Sequence, residues 1–345
     1  MKKVTCSVCG VQVMNISAHV ESKHSLSLDE YLKDYCNDAV INDGGKGGEK
    51  IGSSVLKISS GVSKDVVTMI PSLGYKHHFQ DWMENVVLDL QKEKPSPVML
   101  IGHTGCGKTS SLLALAEKAK QPVIRTNLNG QTTISDFVGT WVVKDGSMEW
   151  IDGVLPKAMR VGAWLILDEI DFAEPAILSL LNAVLEPNGT LCLKEKNGEI
   201  VEPHKNFRIM GTANAVGAYA EYRHLYQGCN LLNEAFLNRW RCYTVDYLSA
   251  DLEVQVLREA FPKLTSKIAE KMVQVANDCR KAFEEETLQC TFSTRVLLDW
   301  AEMILRHVKK HKENVPAVAA KMVIYPRIGR EDAKAIEGII QRVFG

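Results

Sequence analysis

Eight residues constrain this chain more than any other feature: Gly102-His103-Thr104-Gly105-Cys106-Gly107-Lys108-Thr109 fits the pattern G-x-x-x-x-G-K-[ST]. They stand between an apolar run from Pro97 to Gly102, which reads as a buried strand, and a helical pattern from about Lys108 to Lys118. Glycines in such a turn let backbone N–H groups curl around phosphate oxygens without a Cβ clash. The helix N-terminus adds partial positive charge. The pattern predicts a cradle of Gly102, Thr104, Gly105, Cys106, Gly107 and Ser110. Lys108 reaches the β- and γ-phosphates of ATP, and Thr109 places its hydroxyl on Mg²⁺.

About sixty residues on, Trp164 to Asp168 is an apolar strand followed directly by Glu169. Coupled to the phosphate loop, Asp168 is expected to hold the Mg²⁺ through water, and Glu169 to orient and polarise the attacking water. Asp171 reads as a solvated or outer acid. A further strand, Arg208 to Ala213, ends at Asn214, whose amide is placed to hydrogen-bond the same water or the γ-phosphate. Arg239 precedes a strand at Cys242 to Val245, and Arg295 opens a later helix. A guanidinium at either position can stabilise charge on a transferring phosphoryl group, from the same chain or a neighbour.

Between Pro97 and Tyr247 short apolar runs alternate with helical periodicity, with Val123 to Asn127 as a further strand, the mark of an α/β fold with a parallel sheet. Pro175 to Glu186 sets Ile177, Leu178, Leu181, Val184 and Leu185 on one helical face. After Tyr247 strand signals stop, and three or four helices are expected. One presents Val254, Leu257 and Phe261, another Leu297, Trp300, Ile304 and Val308. Upstream, residues 37–63 carry six glycines among Ser, Lys and Asp and read as a flexible tether. The organisation expected is a small unit at 1–36, the tether at 37–63, an α/β nucleotide-binding domain at 64–247 and a helical lid at 248–345.

The first unit holds Cys6-x2-Cys9-x9-His19-x4-His24, two thiolates and two imidazoles, the tetrahedral set that zinc prefers. Some 36 residues bury too little surface to fold unaided, and structural zinc contributes about 10–16 kcal/mol. The other seven cysteines (Cys36, Cys106, Cys192, Cys229, Cys242, Cys279, Cys290) read as small core filler. Charge bears on the unit's role. Lys plus Arg is 41 against 42 for Asp plus Glu over 345 residues, a formal net charge of −1. A protein held on nucleic acid by phosphate neutralisation shows a basic excess, and residues 1–40 carry none. Protein docking is therefore favoured for the finger. The competing reading is a nucleic-acid-associated ATPase or regulator whose finger binds DNA, and a third is a nucleotide-bound scaffold that scarcely hydrolyses. No apolar run approaches the roughly 20 residues that span a bilayer, and the MKKVTCSVCG start has no apolar h-region. A soluble, cytoplasmic protein without a membrane partner is expected.

The series of phosphate loop, acidic strand, Asn strand, pre-strand Arg and lid Arg resembles the AAA+ ATPases. Trp150-Ile-Asp-Gly153-Val-Leu-Pro-Lys-Ala158 is similar to a segment of the MoxR-like clade that follows a hairpin inserted in helix two. Leu128 to Gly139, Thr212-Ala-Asn-Ala-Val-Gly217, Leu225 to Gly228, Asn238-Arg239-Trp240 and Gln341 to Gly345 resemble the CobS ATPase subunits of aerobic cobaltochelatase. The finger, with His24 to Tyr31, resembles the Ros/MucR type, and it stands outside the CobS pattern. The resemblance, over about residues 66 to 345, implies a homo-oligomeric ring, a hexamer, with ATP between neighbours. Arg239 is then the finger reaching the next subunit's nucleotide, and Arg295 the lid sensor on the chain's own. It also implies a von Willebrand A-domain (CobT-like) partner, with cobalt insertion as the associated task.

Overall fold

The computed structural model describes residues 4–5, 12–13, 19, 22–23, 48–57, 64–92, 94–216, 226, 228–308 and 314–345. Strands β1 (Val4–Thr5) and β2 (Gln12–Val13) pair antiparallel, and β3 (Gly48–Ile51) and β4 (Ser54–Lys57) form a second hairpin. Then follow α1 (Trp82–Gln91), β5 (Val98–Ile101), α2 (Lys108–Lys118), β6 (Val123–Asn127), α3 (Ile134–Val138) and the hairpin β7 (Gly139–Lys144) with β8 (Ser147–Asp152). Next come α4 (Val154–Val161), β9 (Trp164–Asp168), α5 (Pro175–Leu185), a hairpin of β10 (Leu191–Leu193) and β11 (Glu199–Val201), β12 (Arg208–Ala213), α6 (Glu234–Leu237) and β13 (Arg241–Thr244). Helices α7 (Ala250–Ala260), α8 (Ser266–Glu284), α9 (Thr294–His307), α10 (Val315–Val323) and α11 (Arg330–Phe344) complete the chain.

Strands β13-β5-β12-β9-β6, in that spatial order, make one parallel sheet. A parallel sheet needs both faces covered, and the period of two along each strand supplies two apolar faces. Val98, Leu100, Ile166 and Met210 pack with α1 and α2. Met99, Ile101, Leu165, Leu167 and Ile209 pack with α4 and α5. Helix α2 covers the residues expected of it, and on α5 Ile177, Leu181, Val184 and Leu185 are buried, with Leu178 partly so. The lid has its own core around Trp300, and five helices among the described residues rather than three or four. Val308, expected on a buried face, caps the end of α9 and is exposed. Of the described cysteines Cys106, Cys229 and Cys279 are buried and Cys290 is partly buried against the lid core; Cys192 and Cys242 are exposed, so the core-filler reading fails for those two, and Cys36 lies outside the described residues. No described helix is long and apolar enough to cross a membrane.

The tether reading fails over residues 48–57. Gly52, with φ +62°, occupies the first position of a two-residue turn, where a side chain would be strained. The turn folds β3 onto β4 and turns Ile51 and Leu56 inward, 2 % and 1 % exposed, to pack with α1. Ser53 and Ser54 donate to the Glu84 carboxylate on that helix. The hairpin is part of the α/β body. Glycine content concealed two apolar residues, Ile51 beside the turn and Leu56 on the returning strand opposite Glu49.

A truncation series reads this directly. Removing residues 1–47 is expected to leave the melting temperature of the remainder unchanged. Removing residues 1–60 strips two buried aliphatic side chains worth about 1.5–3 kcal/mol each, and should lower it clearly. Equal melting temperatures for the two truncations would show that the hairpin contributes nothing.

Candidate nucleotide site

The carboxyl ends of β5, β9 and β12 meet at the N-terminus of α2, the crevice in which open α/β sheets bind ligands. Gly105 and Gly107 have φ of +73° and +102°, and no side chain caps the first turn of α2. That turn's N–H groups therefore face the loop rather than a capping oxygen, as an anion cradle requires. Gly102 cannot carry a side chain either, because a Cβ there would lie 2.1 Å from the Val245 carbonyl oxygen.

Lys108 is buried, and its Nζ donates to the Gly102 and His103 carbonyls at 2.6 and 2.8 Å and to Asn214 Oδ1 at 3.0 Å. Burial lowers its pKa. Thr109 Oγ1 donates to Asp168 Oδ1 at 2.6 Å, and Thr212 Oγ1 donates to the same oxygen at 3.0 Å. Arg125, on the neighbouring strand β6, donates to Asp168 Oδ2. Lysine, amide, hydroxyl and carboxylate thus converge at Lys108, Asn214, Thr109 and Asp168. Hard oxygen donors at Thr109 and Asp168, beside an uncapped helix start, fit a Mg²⁺-bound triphosphate.

Glu169 is exposed at the strand end, with a left-handed φ of +56° that costs about 1–3 kcal/mol for a non-glycine residue. Thr212 Oγ1 accepts its N–H at 3.2 Å and helps hold the turn. Asp171 is not solvated: it is wholly buried, and its Oδ2 accepts the N–H groups of Asn214 and Ala215 at 2.9 and 3.0 Å. It orients the end of β12 and hence the Asn214 amide. Ser110 Oγ turns back to the Gly107 carbonyl at 2.9 Å, and buried Cys106 lies against Gly102. Thr104 donates its N–H to the Tyr226 hydroxyl at 3.2 Å. His103 is held neutral, its pKa lowered to about 4 by burial and then by the Lys108 charge.

Arg295 is brought to the loop: its Cβ lies 3.9 Å from where a Gly105 Cβ would stand. Arg239 is not. It precedes β13, whose Arg241 is in register with Val98 at the start of β5, so it occupies the sheet end opposite its own phosphate loop. There its Nε donates to Glu186 Oε1 at 2.7 Å, in a cleft of about 670 Å³ also lined by Lys94, Lys205, Arg208 and Arg241. Cys6, Cys9 and His24 of the predicted zinc set lie outside the described residues; His19 alone is described. Sequence reasoning assigned no site role to Arg125, nor to Thr212 and Tyr226, which stand in blocks noted only for their resemblance; their contacts join elements far apart in sequence.

Fold and site together define a P-loop nucleotide-binding domain with a helical lid. Residues 97–227 match the AAA domain (dynein-related subfamily), and residues 253–341 match the CbbQ/NirQ/NorQ C-terminal domain. The chain thus carries an AAA domain followed by a C-terminal region of that type. It is similar to the aerobic cobaltochelatase subunit CobS of Sinorhizobium sp, 34 % identical over 214 residues, covering 59 % of this chain and 64 % of CobS. It is also similar to the gas vesicle ATPase GvpN1 of Halobacterium salinarum, 30 % identical, covering 59 % of this chain and 60 % of the relative. Midasin of Dictyostelium discoideum is 27 % identical over 72 % of this chain but only 4 % of its own length. The chain spans less than two thirds of each of these relatives.

Proposed function

We propose that this protein is a ring-forming ATPase of the MoxR-like AAA+ type that hydrolyses Mg-ATP to remodel a partner complex. The observation that carries the reading is the junction of Lys108 with Asn214 at 3.0 Å and of Thr109 with Asp168 at 2.6 Å, at an uncapped helix start. Bound Mg²⁺ would offset phosphate charge there, held by Thr109 directly and by Asp168 through water. Lys108 exchanges its carbonyl contacts for phosphate oxygens, Glu169 orients and polarises the attacking water, and Asn214 fixes that water or the γ-phosphate. Arg295 meets the chain's own nucleotide from the lid. Arg239, at the far end of the sheet, reaches the nucleotide of the next copy, which makes a head-to-tail ring, a hexamer in this clade, the working unit.

The similarity to CobS supports a von Willebrand A-domain partner and a task of the cobalt-chelation kind; that to GvpN1 supports the ATPase step irrespective of client. Cys6, Cys9, His19 and His24 hold one zinc ion in an N-terminal module that recruits the partner. The spacing of these four ligands in the sequence carries that part of the reading. The test is made on the purified full chain. ATP hydrolysis that stops on chelation of Mg²⁺, a ring-sized particle in the presence of ATP, and about one zinc per chain by elemental analysis are expected. An assembled particle without hydrolysis would overturn the ATPase reading, and a zinc-free chain the finger.

A further inference from the structure

The lid touches the phosphate loop through a small polar network. Tyr247 lies in the link between β13 and α7, and its hydroxyl meets the Thr104 carbonyl at 3.2 Å and Thr291 Oγ1 at 2.9 Å. A phenol has one proton. Given to the Thr104 carbonyl, it leaves the oxygen to accept from Thr291, so a single atom joins the loop to the segment entering α9. Burial raises the Tyr247 pKa, so the hydroxyl keeps that proton at neutral pH. The ring is held in turn. The Arg280 guanidinium stands 4.0 Å from its centroid, and the His103 ring runs nearly parallel to it at 6.4 Å.

Arg280 is itself fixed from all sides. It donates to both Glu253 oxygens at 2.7 and 2.8 Å, to the Phe292 carbonyl at 2.8 Å and to Asn277 Oδ1 at 2.9 Å. Glu253 is wholly buried and also accepts from Thr294 Oγ1 at 2.6 Å. A buried ion pair contributes little net stability against an apolar replacement, but its fork geometry specifies one arrangement. The arrangement specified here is the start of α9. Ser293 packs so closely on the loop that a Gly105 Cβ would stand 2.6 Å from its own, and Arg295 follows two residues later.

We infer that Tyr247 is a positioning residue that couples the phosphate loop to the lid and sets where Arg295 stands over the nucleotide. The inference rests on the role proposed above for Arg295. A displaced Arg295 loses transition-state stabilisation more than ground-state binding, because charge on the phosphoryl group is redistributed only as it transfers.

The experiment uses the full chain and four variants: Tyr247→Phe, Thr291→Val, Arg295→Ala and the Tyr247→Phe/Arg295→Ala double. Tyr247→Phe keeps the ring under Arg280 and removes only the hydroxyl. It should lower kcat about tenfold, in line with the sensitivity of catalysis to small misplacements, with KM for ATP within about twofold and melting unchanged. Thr291→Val, which removes the other partner, should act in the same direction. On the Arg295→Ala background Tyr247→Phe should cost less than about twofold, because the residue it positions is gone. Wild-type kcat in Tyr247→Phe and Thr291→Val, or the same tenfold loss on both backgrounds, overturns the coupling. Failure of the underlying reading shows separately, as an Arg295→Ala chain that turns over at the wild-type rate.

Discussion

Glu169→Gln is expected to bind ATP within a few-fold of wild type and to lose turnover by about 10²–10⁴, the contribution typical of a positioned general base. The amide keeps the size of the carboxylate but cannot draw a proton from water. Because Glu169 is exposed, its replacement should leave stability within about 0.5 kcal/mol. Lys108→Ala should fail in the opposite manner. Three acceptors close around the Lys108 ammonium, at Gly102, His103 and Asn214. Its loss removes the charge-assisted bond to phosphate, worth about 1.5–3 kcal/mol, and leaves those acceptors without their donor. ATP affinity should fall by about one to two orders of magnitude. The measurements are a nucleotide titration and a steady-state ATPase rate for each variant. Near-wild-type turnover in both would show that the chemistry lies elsewhere.

The phosphate loop, the acidic strand and Asn214 were legible because each is a local signal: a glycine spacing, or an apolar run with a polar end. They needed only the assumption that parallel strands align their carboxyl ends. What was hidden depends on neighbours far apart in sequence. Asp171 looks like a surface acid until β12 is laid beside β9, when its carboxylate meets the N–H groups of Asn214 and Ala215. Arg125 sits on a partly exposed strand with nothing to mark it, and gains its place only through the pairing of β6 with β9 beside Asp168. The hairpin at 48–57 was obscured by composition: its glycines dominated the reading, although Ile51 and Leu56 stand on either side of a Gly-Ser turn and face the same side of the hairpin. The Tyr247–Arg280–Glu253 network joins the link after β13, α8 and α7, and no window of sequence contains it.

Arg239 provides the sharpest test of whether the site is shared between copies. The register of β13 with β5 puts it at the sheet end away from its own phosphate loop, so a role in hydrolysis requires a neighbour. Its in-chain partner Glu186 is half exposed, so breaking that pair should cost less than about 1 kcal/mol. Arg239→Ala should therefore fold, bind ATP and assemble, yet lose about 10³–10⁵ in turnover, as expected for an arginine supplied in trans. Mixed with Glu169→Gln chains, it should regain activity. An interface works when an Arg239→Ala chain supplies the nucleotide and Glu169 while a Glu169→Gln chain supplies the arginine. In a head-to-tail ring assembled at random from equal amounts, about one interface in four has that pairing. Activity plotted against mixing ratio should rise from near zero at either end to a maximum near equal proportions. A flat line across all ratios, with co-assembly verified, would mean that Arg239 serves only its own chain.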